Sequence, residues 1–341
     1  METWEQRTLQ AIRRDILPFL PDPVRRVLAA LPVAALAALE EVRLRQDRPL
    51  VLVLHDRDMV TGCVVTGDDM QRALQMMSQS SVYALEEELR QGYLTLTGGH
   101  RVGLVGRAVV EHGRIRTIKN ISGLNVRVSR ELPGVADGVL PALIAPAAGS
   151  GDILSALVVG PPRAGKTTLL RDICRRLADG AREWGLPGLK VGLVDERSEI
   201  AGCYQGVPQR DVGLRTDVLD ACPKAEGIMI LIRGMSPDVV VTDELGRDED
   251  AAAVEEAANA GVAVIASAHG RGADDLARRP SLRQLVATGV FHRLVFLDRS
   301  RGPGTIAGIT DERGTPLACA PRTCTARDSE VISGVASQTA R

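Results

Sequence analysis

At 341 residues, with 45% hydrophobic and 25% charged side chains and a formal net charge of −1, the chain has room for about two folded cores, which excludes a disordered or fibrous protein. The near-neutral balance supplies no global field to recruit nucleic acid or anionic lipid, and 2% aromatic content leaves few platforms for stacking bases. The opening Met-Glu-Thr-Trp-Glu-Gln-Arg lacks a basic leader with an apolar core, and the apolar run 27–39 is too short to span a bilayer and contains Pro32. Neither an export signal nor a membrane span is therefore expected. Cys63, Cys174, Cys203, Cys222, Cys319 and Cys324 form no CxxC pair, so no zinc site or disulfide framework is indicated, and reducing cytosol is the expected compartment.

In chain order, residues 1 to about 45 read as helices broken by Pro18, Pro21, Pro23 and Pro32. Runs 41–45 and 50–54 read as strands. Thr66 or Asp68 caps a helix to about Ser78, and Ser81 caps a second, with acidic residues at 86–88 following. From 93 to 128 the pattern is β, with alternating runs 93–97, 101–105 and 124–128 separated by glycine turns. Residues 1–135 thus form a smaller N-terminal α+β domain. The Pro-, Gly- and Ala-rich stretch that follows has little periodicity, and a linker is placed at 136–152. In 153–320 the apolar runs 157–159, 191–194, 239–241, 262–266 and 294–297 alternate with helical stretches, the pattern of a mainly parallel sheet covered on both faces. A glycine-punctuated hairpin at 305–317 extends its edge, and the small, polar residues 321–341 read as a disordered tail.

Residues 160–167 read Gly-Pro-Pro-Arg-Ala-Gly-Lys-Thr, the GxxxxGK[ST] pattern between a strand-like and a helix-like run. Such a loop cradles phosphates with backbone amides and a helix N-terminus, while its lysine reaches the outer phosphates and its hydroxyl meets magnesium. Gly160, Pro161, Pro162, Arg163, Ala164, Gly165, Lys166, Thr167 and Thr168 are accordingly assigned to ATP, with Mg2+ on Thr167.

Asp243 and Glu244 follow the strand 238–242, at the edge where α/β sheets hold ligands. Asp243 is assigned to the metal and Glu244 to polarising the attacking water. Between the loop and this pair lies a further strand ending in Asp195, Glu196 and Arg197, and that insertion argues for a RecA-like P-loop ATPase domain rather than a nucleotide kinase. These three residues either border the γ-phosphate or form a solvated charge cluster. His269 ends the next apolar run, where an imidazole can donate to the terminal phosphate or its water; Ser267 is a second candidate. In the first domain, glycines crowd around Arg101 and Arg107, with Arg127 and Arg130 further on. Either these arginines are solvated, or some reach a neighbouring subunit's nucleotide, where a guanidinium meets transition-state charge.

These blocks, together with Glu41-Val-Arg-Leu-Arg, Gly98-Gly-His-Arg-Val-Gly, Leu231-Ile-Arg-Gly-Met-Ser-Pro and Thr242-Asp-Glu-Leu-Gly, resemble the stage III sporulation protein AA family, related to the ring ATPases of type II and type IV secretion. The resemblance places the family's phosphate-loop lysine on Lys166, its magnesium aspartate on Asp243 and its catalytic glutamate on Glu244. The acidic box of the secretion relatives falls on Glu196 and their histidine box on His269. It implies a mother-cell ATPase, a ring of six copies, working on membrane-embedded proteins of the channel to the forespore and reaching the membrane only through them. Two other readings stay open: a nucleotide-gated scaffold with incidental turnover, and an ATPase stimulated by nucleic acid, which the composition disfavours.

Overall fold

The structure, a computed structural model, describes residues 4–78, 89–90, 92–129, 131–145, 152–300, 302 and 304–317. The helix expected from Ser81, Arg130 and the tail at 321–341 lie outside the described residues.

The chain divides into two compact units, one of Met1–Glu131 with Gly202–Arg210, the other of Leu132–Ala201 with Asp211–Arg341. In the first, strands β1 (Leu39–Arg45), β2 (Arg48–Leu54), β3 (Asp58–Val65), β4 (Tyr93–Leu96), β5 (His100–Glu111) and β6 (Arg114–Arg127) form an antiparallel sheet in the order β3-β2-β1-β6-β5-β4. Alternate residues Val42, Leu44, Leu50, Leu52, Val102, Leu104, Leu124 and Val126 are buried together with Ile12, Ile16, Leu20, Val24 and Leu28 of the N-terminal helices. This is the outcome of period-two patterning with one face turned to a core. Of the two candidate caps, Thr66 is the one used: its hydroxyl accepts from Asp69 N at 3.2 Å and the Asp69 carboxylate accepts from Thr66 N at 3.0 Å, opening the helix Gly67–Met77. β3 lacks a sequence expectation because its alternate residues face outward at a sheet edge.

The second unit is built on β7 (Ala156–Gly160), β8 (Val191–Asp195), β9 (Thr216–Asp220), β10 (Val239–Thr242), β11 (Ala263–His269), β12 (Arg293–Asp298) and β13 (Thr305–Asp311), in the order β13-β12-β7-β11-β10-β8-β9. All neighbours are parallel except the β12–β13 hairpin at the edge. β7, β8 and β10 are buried at every residue, which is why they appear in the sequence as unbroken apolar runs. β11 lies between the strand that leads into the phosphate loop and the strand that leads into Asp243. That arrangement is the RecA-like one, and it brings His269 between the two.

The stretch read as a linker has structure. A short 3-10 turn, Val135–Gly138, and the helical turn Leu140–Leu143 bury Ala136, Val139, Leu140 and Leu143, and Asp172 accepts from the backbone N–H groups of Gly134 and Ala136, each at 2.8 Å. The second unit therefore starts at Leu132, before the expected boundary. It is also interrupted. The chain leaves it after Ala201, lodges nine residues in the first unit, where Gln209 Oε1 accepts from Gly98 N at 3.1 Å and Arg210 donates to Ser129 O, and returns at Asp211.

Candidate functional site

The phosphate-loop pattern leaves β7 at Gly160 and enters the helix Lys166–Asp179. Its two glycines serve different ends. A Cβ on Gly160 would lie 3.1 Å from Leu297 Cβ and 3.2 Å from Ala164 Cβ, so close packing requires it. Gly165, the N-cap, stands at φ 89°, where L side chains are disfavoured. Arg163 accepts a positive φ of 63° in the same turn. The cavity above this loop encloses about 380 Å³ and is walled by Pro162 to Thr168, Arg197, Glu199, Asp243, Glu244, Ser267 and His269, a size at the small end of ligand pockets.

Three predicted residues meet in one chain of contacts. The Lys166 ammonium donates to Gly160 O at 2.8 Å, to Pro161 O at 3.2 Å and to His269 Nδ1 at 2.9 Å. An ammonium has no lone pair, so Nδ1 is the acceptor and the ring hydrogen sits on Nε2, which is 2.9 Å from Glu244 Oε1. Glu244 Oε2 is in turn 3.6 Å from Arg197 Nη1. Burial lowers the Lys166 pKa from its ordinary value, with the charge of Glu244 opposing.

Asp243, 6% exposed, lies behind this chain. Burial raises its carboxyl above the usual range, and Lys224 opposes without cancelling the effect. Its Oδ1 forms an ion pair with Lys224 Nζ at 3.2 Å, and this buried oxygen has no well-formed hydrogen bond among the described residues. An orphaned carboxylate oxygen near the Thr167 hydroxyl, both walling one cavity, suits a hard divalent cation. Among the described residues no group of three or more His, Cys, Asp or Glu side chains makes a metal cage. Magnesium held mainly by substrate phosphates needs none.

The pair at the end of β8 is used otherwise. Asp195 is fully buried and accepts from the N–H groups of Glu199, Ile200 and Ala201 at 2.8 to 2.9 Å. Burial pushes its carboxyl up to about 6 against those hydrogen bonds. Glu196 is not on the cavity wall; its carboxylate pairs with the Lys224 ammonium. Of the three residues read as either bordering the γ-phosphate or forming a solvated charge cluster, Arg197 alone lines the cavity, joined by Glu199, which the sequence reading missed. Lys224 was missed too. The available signal was its position as first residue of the helix Lys224–Met235, where a cation opposes the helix dipole unless carboxylates stand close.

In the first unit, Arg101 and Arg127 are register partners across β5 and β6. Like charges directly opposed are unfavourable. Here Arg101 lies over the Tyr93 ring at 3.5 Å and Arg127 is 3.5 Å from Glu41. Arg107 is exposed further along β5, on the part of the hairpin that also exposes Val105 and Val110.

A RecA-like α/β unit with a GxxxxGKT loop at the carboxyl edge of its sheet, preceded by an antiparallel α+β unit, is a fold this chain shares with proteins of known structure. The structure resembles the Legionella pneumophila ATPase DotB, with a TM-score of 0.51 at 16% identity over 81% of this chain and 78% of that one. It also resembles the pilus retraction motor PilT with bound ADP, with a TM-score of 0.53 at 13% identity over 90% and 87%. At such identities the likeness concerns the fold. The chain belongs to the family of sporulation stage III, protein AA, whose family model matches residues 10–317. It is 45% identical over 304 residues to stage III sporulation protein AA of Bacillus subtilis strain 168, covering 89% of this chain and 97% of that one. No helix among the described residues is long and apolar enough to cross a membrane.

Proposed function

We propose that the second unit binds Mg-ATP and hydrolyses its terminal phosphoanhydride to drive conformational work in a sporulation complex. The observation that carries this reading is the contact chain Lys166–His269–Glu244 at the mouth of the phosphate loop, which joins the phosphate-holding ammonium to the carboxylate best placed to activate water. Lys166 and the loop amides hold the phosphates. Glu244 takes a proton from water as its oxygen bonds to the γ-phosphorus and the bond to the bridging oxygen breaks, giving ADP and inorganic phosphate. His269, fixed as the Nε2–H tautomer, holds the Glu244 carboxylate in aim. Thr167 and Asp243 would hold the magnesium ion, which would neutralise phosphate charge. Arg197, beside Glu244, senses the terminal phosphate.

Arg101, Arg107, Arg127 and Arg130 belong to the same proposal as residues supplied to a neighbouring copy's nucleotide in a homo-hexameric ring, which acts on membrane-embedded partners from the mother-cell cytoplasm.

Phosphate release by the purified chain tests the reading. Lys166→Ala should abolish nucleotide binding, whereas Glu244→Gln should keep binding and lose at least about a hundredfold in turnover. A Glu244→Gln variant that turns over ATP at the wild-type rate overturns the hydrolytic assignment. Restoration of sporulation by Glu244→Gln but not by Lys166→Ala would favour the nucleotide-gated scaffold.

A further inference from the structure

Lys224 belongs to no phosphate-binding pattern and does not wall the cavity, yet with Arg171 it is a buried cation of the second unit outside the loop. Its residue is 5% exposed. It is the first residue of the helix Lys224–Met235, at the end where unsatisfied N–H groups already carry partial positive charge. A buried ammonium there is disfavoured twice, by lost hydration and by the dipole, and holds only if anions offset both. Two do so, from two strands: Glu196 after β8, in direct contact, and Asp243 after β10, with Oδ1 at 3.2 Å.

The two contacts differ in kind. Glu196 accepts a hydrogen bond from Nζ. Asp243 Oδ1 meets the same ammonium at 3.2 Å, a looser contact that is not a well-formed hydrogen bond, and has no other partner among the described residues although the atom is buried. A carboxylate so placed has its charge balanced within the protein while only one loose contact must yield for a second cation to engage it.

We propose that Lys224 is a positioning residue for the metal site, anchored on Glu196 and standing in as the counter-cation of Asp243 until magnesium engages that carboxylate. This rests on the nucleotide-binding reading above and adds to it a residue that sets how much magnesium the site demands. Lys224 competes with the metal for Asp243. Glu196 moderates the competition by keeping the ammonium partly engaged elsewhere.

The test is the free Mg2+ concentration that half-saturates ADP binding to the full chain, read by calorimetry and by the shift in unfolding temperature, neither of which needs turnover. Lys224→Met should lower that concentration about tenfold, as expected when a like charge a few ångströms from a divalent site is removed. Glu196→Gln should raise it several-fold, because the ammonium then leans on Asp243 alone. In the Lys224→Met background, Glu196→Gln should have less than half its effect, since the residue through which it acts is gone.

A purely structural lysine would lower the unfolding temperature equally with and without Mg2+ and leave the half-saturating concentration unmoved; that result overturns the proposal. So does full additivity of the two substitutions. If Lys224→Met does not fold, Glu196→Gln decides alone, a rise supporting the proposal and an unchanged or lowered value overturning it. Wild-type chain that binds no ADP at any Mg2+ concentration would instead strike the nucleotide-binding reading on which the proposal stands.

Discussion

β8 and β10 are adjacent, parallel strands that each lead into an Asp-Glu dipeptide, and the two pairs do different work. Val194 is the register partner of Thr242, so Asp195 and Asp243 occupy equivalent places at the sheet edge. What separates them is the backbone that follows. After Asp195 the chain turns through Ser198 at φ 51° and folds three N–H groups onto the carboxylate. After Glu244, Leu245 N donates instead to Ser267 O at 2.8 Å, and the acidic side chains meet other elements, Asp243 at Lys224 and Glu244 at His269 and Arg197. A strand-end carboxylate is available for chemistry only when its own loop does not use it.

The largest break in this comparison comes from matched glutamine substitutions. Glu244→Gln should cost at least about a hundredfold in turnover, about 3 kcal/mol of transition-state stabilisation. Glu196→Gln at saturating Mg2+ should cost less than about tenfold, and steady-state phosphate release compares them directly. Equal losses would mean that both glutamates act on the reaction.

The aspartates should diverge in stability rather than rate. Asp195→Ala strands three amide donors in a buried loop and should lower unfolding free energy by about 3 kcal/mol, measured by urea titration. Asp243→Ala removes a carboxylate that accepts no hydrogen bond at Oδ1 and should cost clearly less.

Titration sharpens the point. Because the folded Asp195 carboxyl sits at about 6, above its unfolded value, the folded chain holds a proton that the unfolded chain releases first. Its contribution is therefore most favourable below about pH 4 and is lost as pH rises toward 6, by up to about 3 kcal/mol. Asp195→Asn removes that slope, so its stability relative to wild type should improve between pH 4 and pH 7.

The first unit holds a buried group of opposite sign. His100, fully buried with Nδ1 accepting from Ser129 N, is pushed down to about 3 by burial first and by Arg210 and Arg14 next. Only the unfolded chain takes up its proton below about 6.5, so stability from this group falls as pH drops, by about 2 kcal/mol between pH 6.5 and 5. His100→Gln should flatten that loss in pH-dependent urea titrations.

Much of this was legible because burial on both faces writes itself as apolar runs. The central strands of the second unit, the phosphate loop and the Asp243-Glu244 pair all follow such runs. Edge strands do not announce themselves in this way: β9 is half-buried throughout and reads Thr-Asp-Val-Leu-Asp. Residues 136–152 looked like a linker because alanine and proline carry no strong period, although Leu140 and Leu143 within them are fully buried. The lodging of Gly202–Arg210 in the first unit depends on a bond between residues 111 apart in sequence, which no local pattern encodes. The sequence left Asp195 open between bordering the γ-phosphate and a solvated charge cluster, because the capping of its own loop by three N–H groups is a backbone event, invisible in side-chain types. Lys224 was overlooked because its partners come from two other elements.

The account depends most on the phosphate loop gripping a nucleotide with magnesium held by Thr167 and Asp243. Isothermal titration of ATP into the Glu244→Gln chain with and without Mg2+ tests this directly, since turnover no longer consumes the ligand. We expect saturable heat that weakens markedly without Mg2+ and vanishes in the Glu244→Gln, Lys166→Ala double variant. Heat of binding that is indifferent to both Mg2+ and Lys166, or no heat at all, would contradict it.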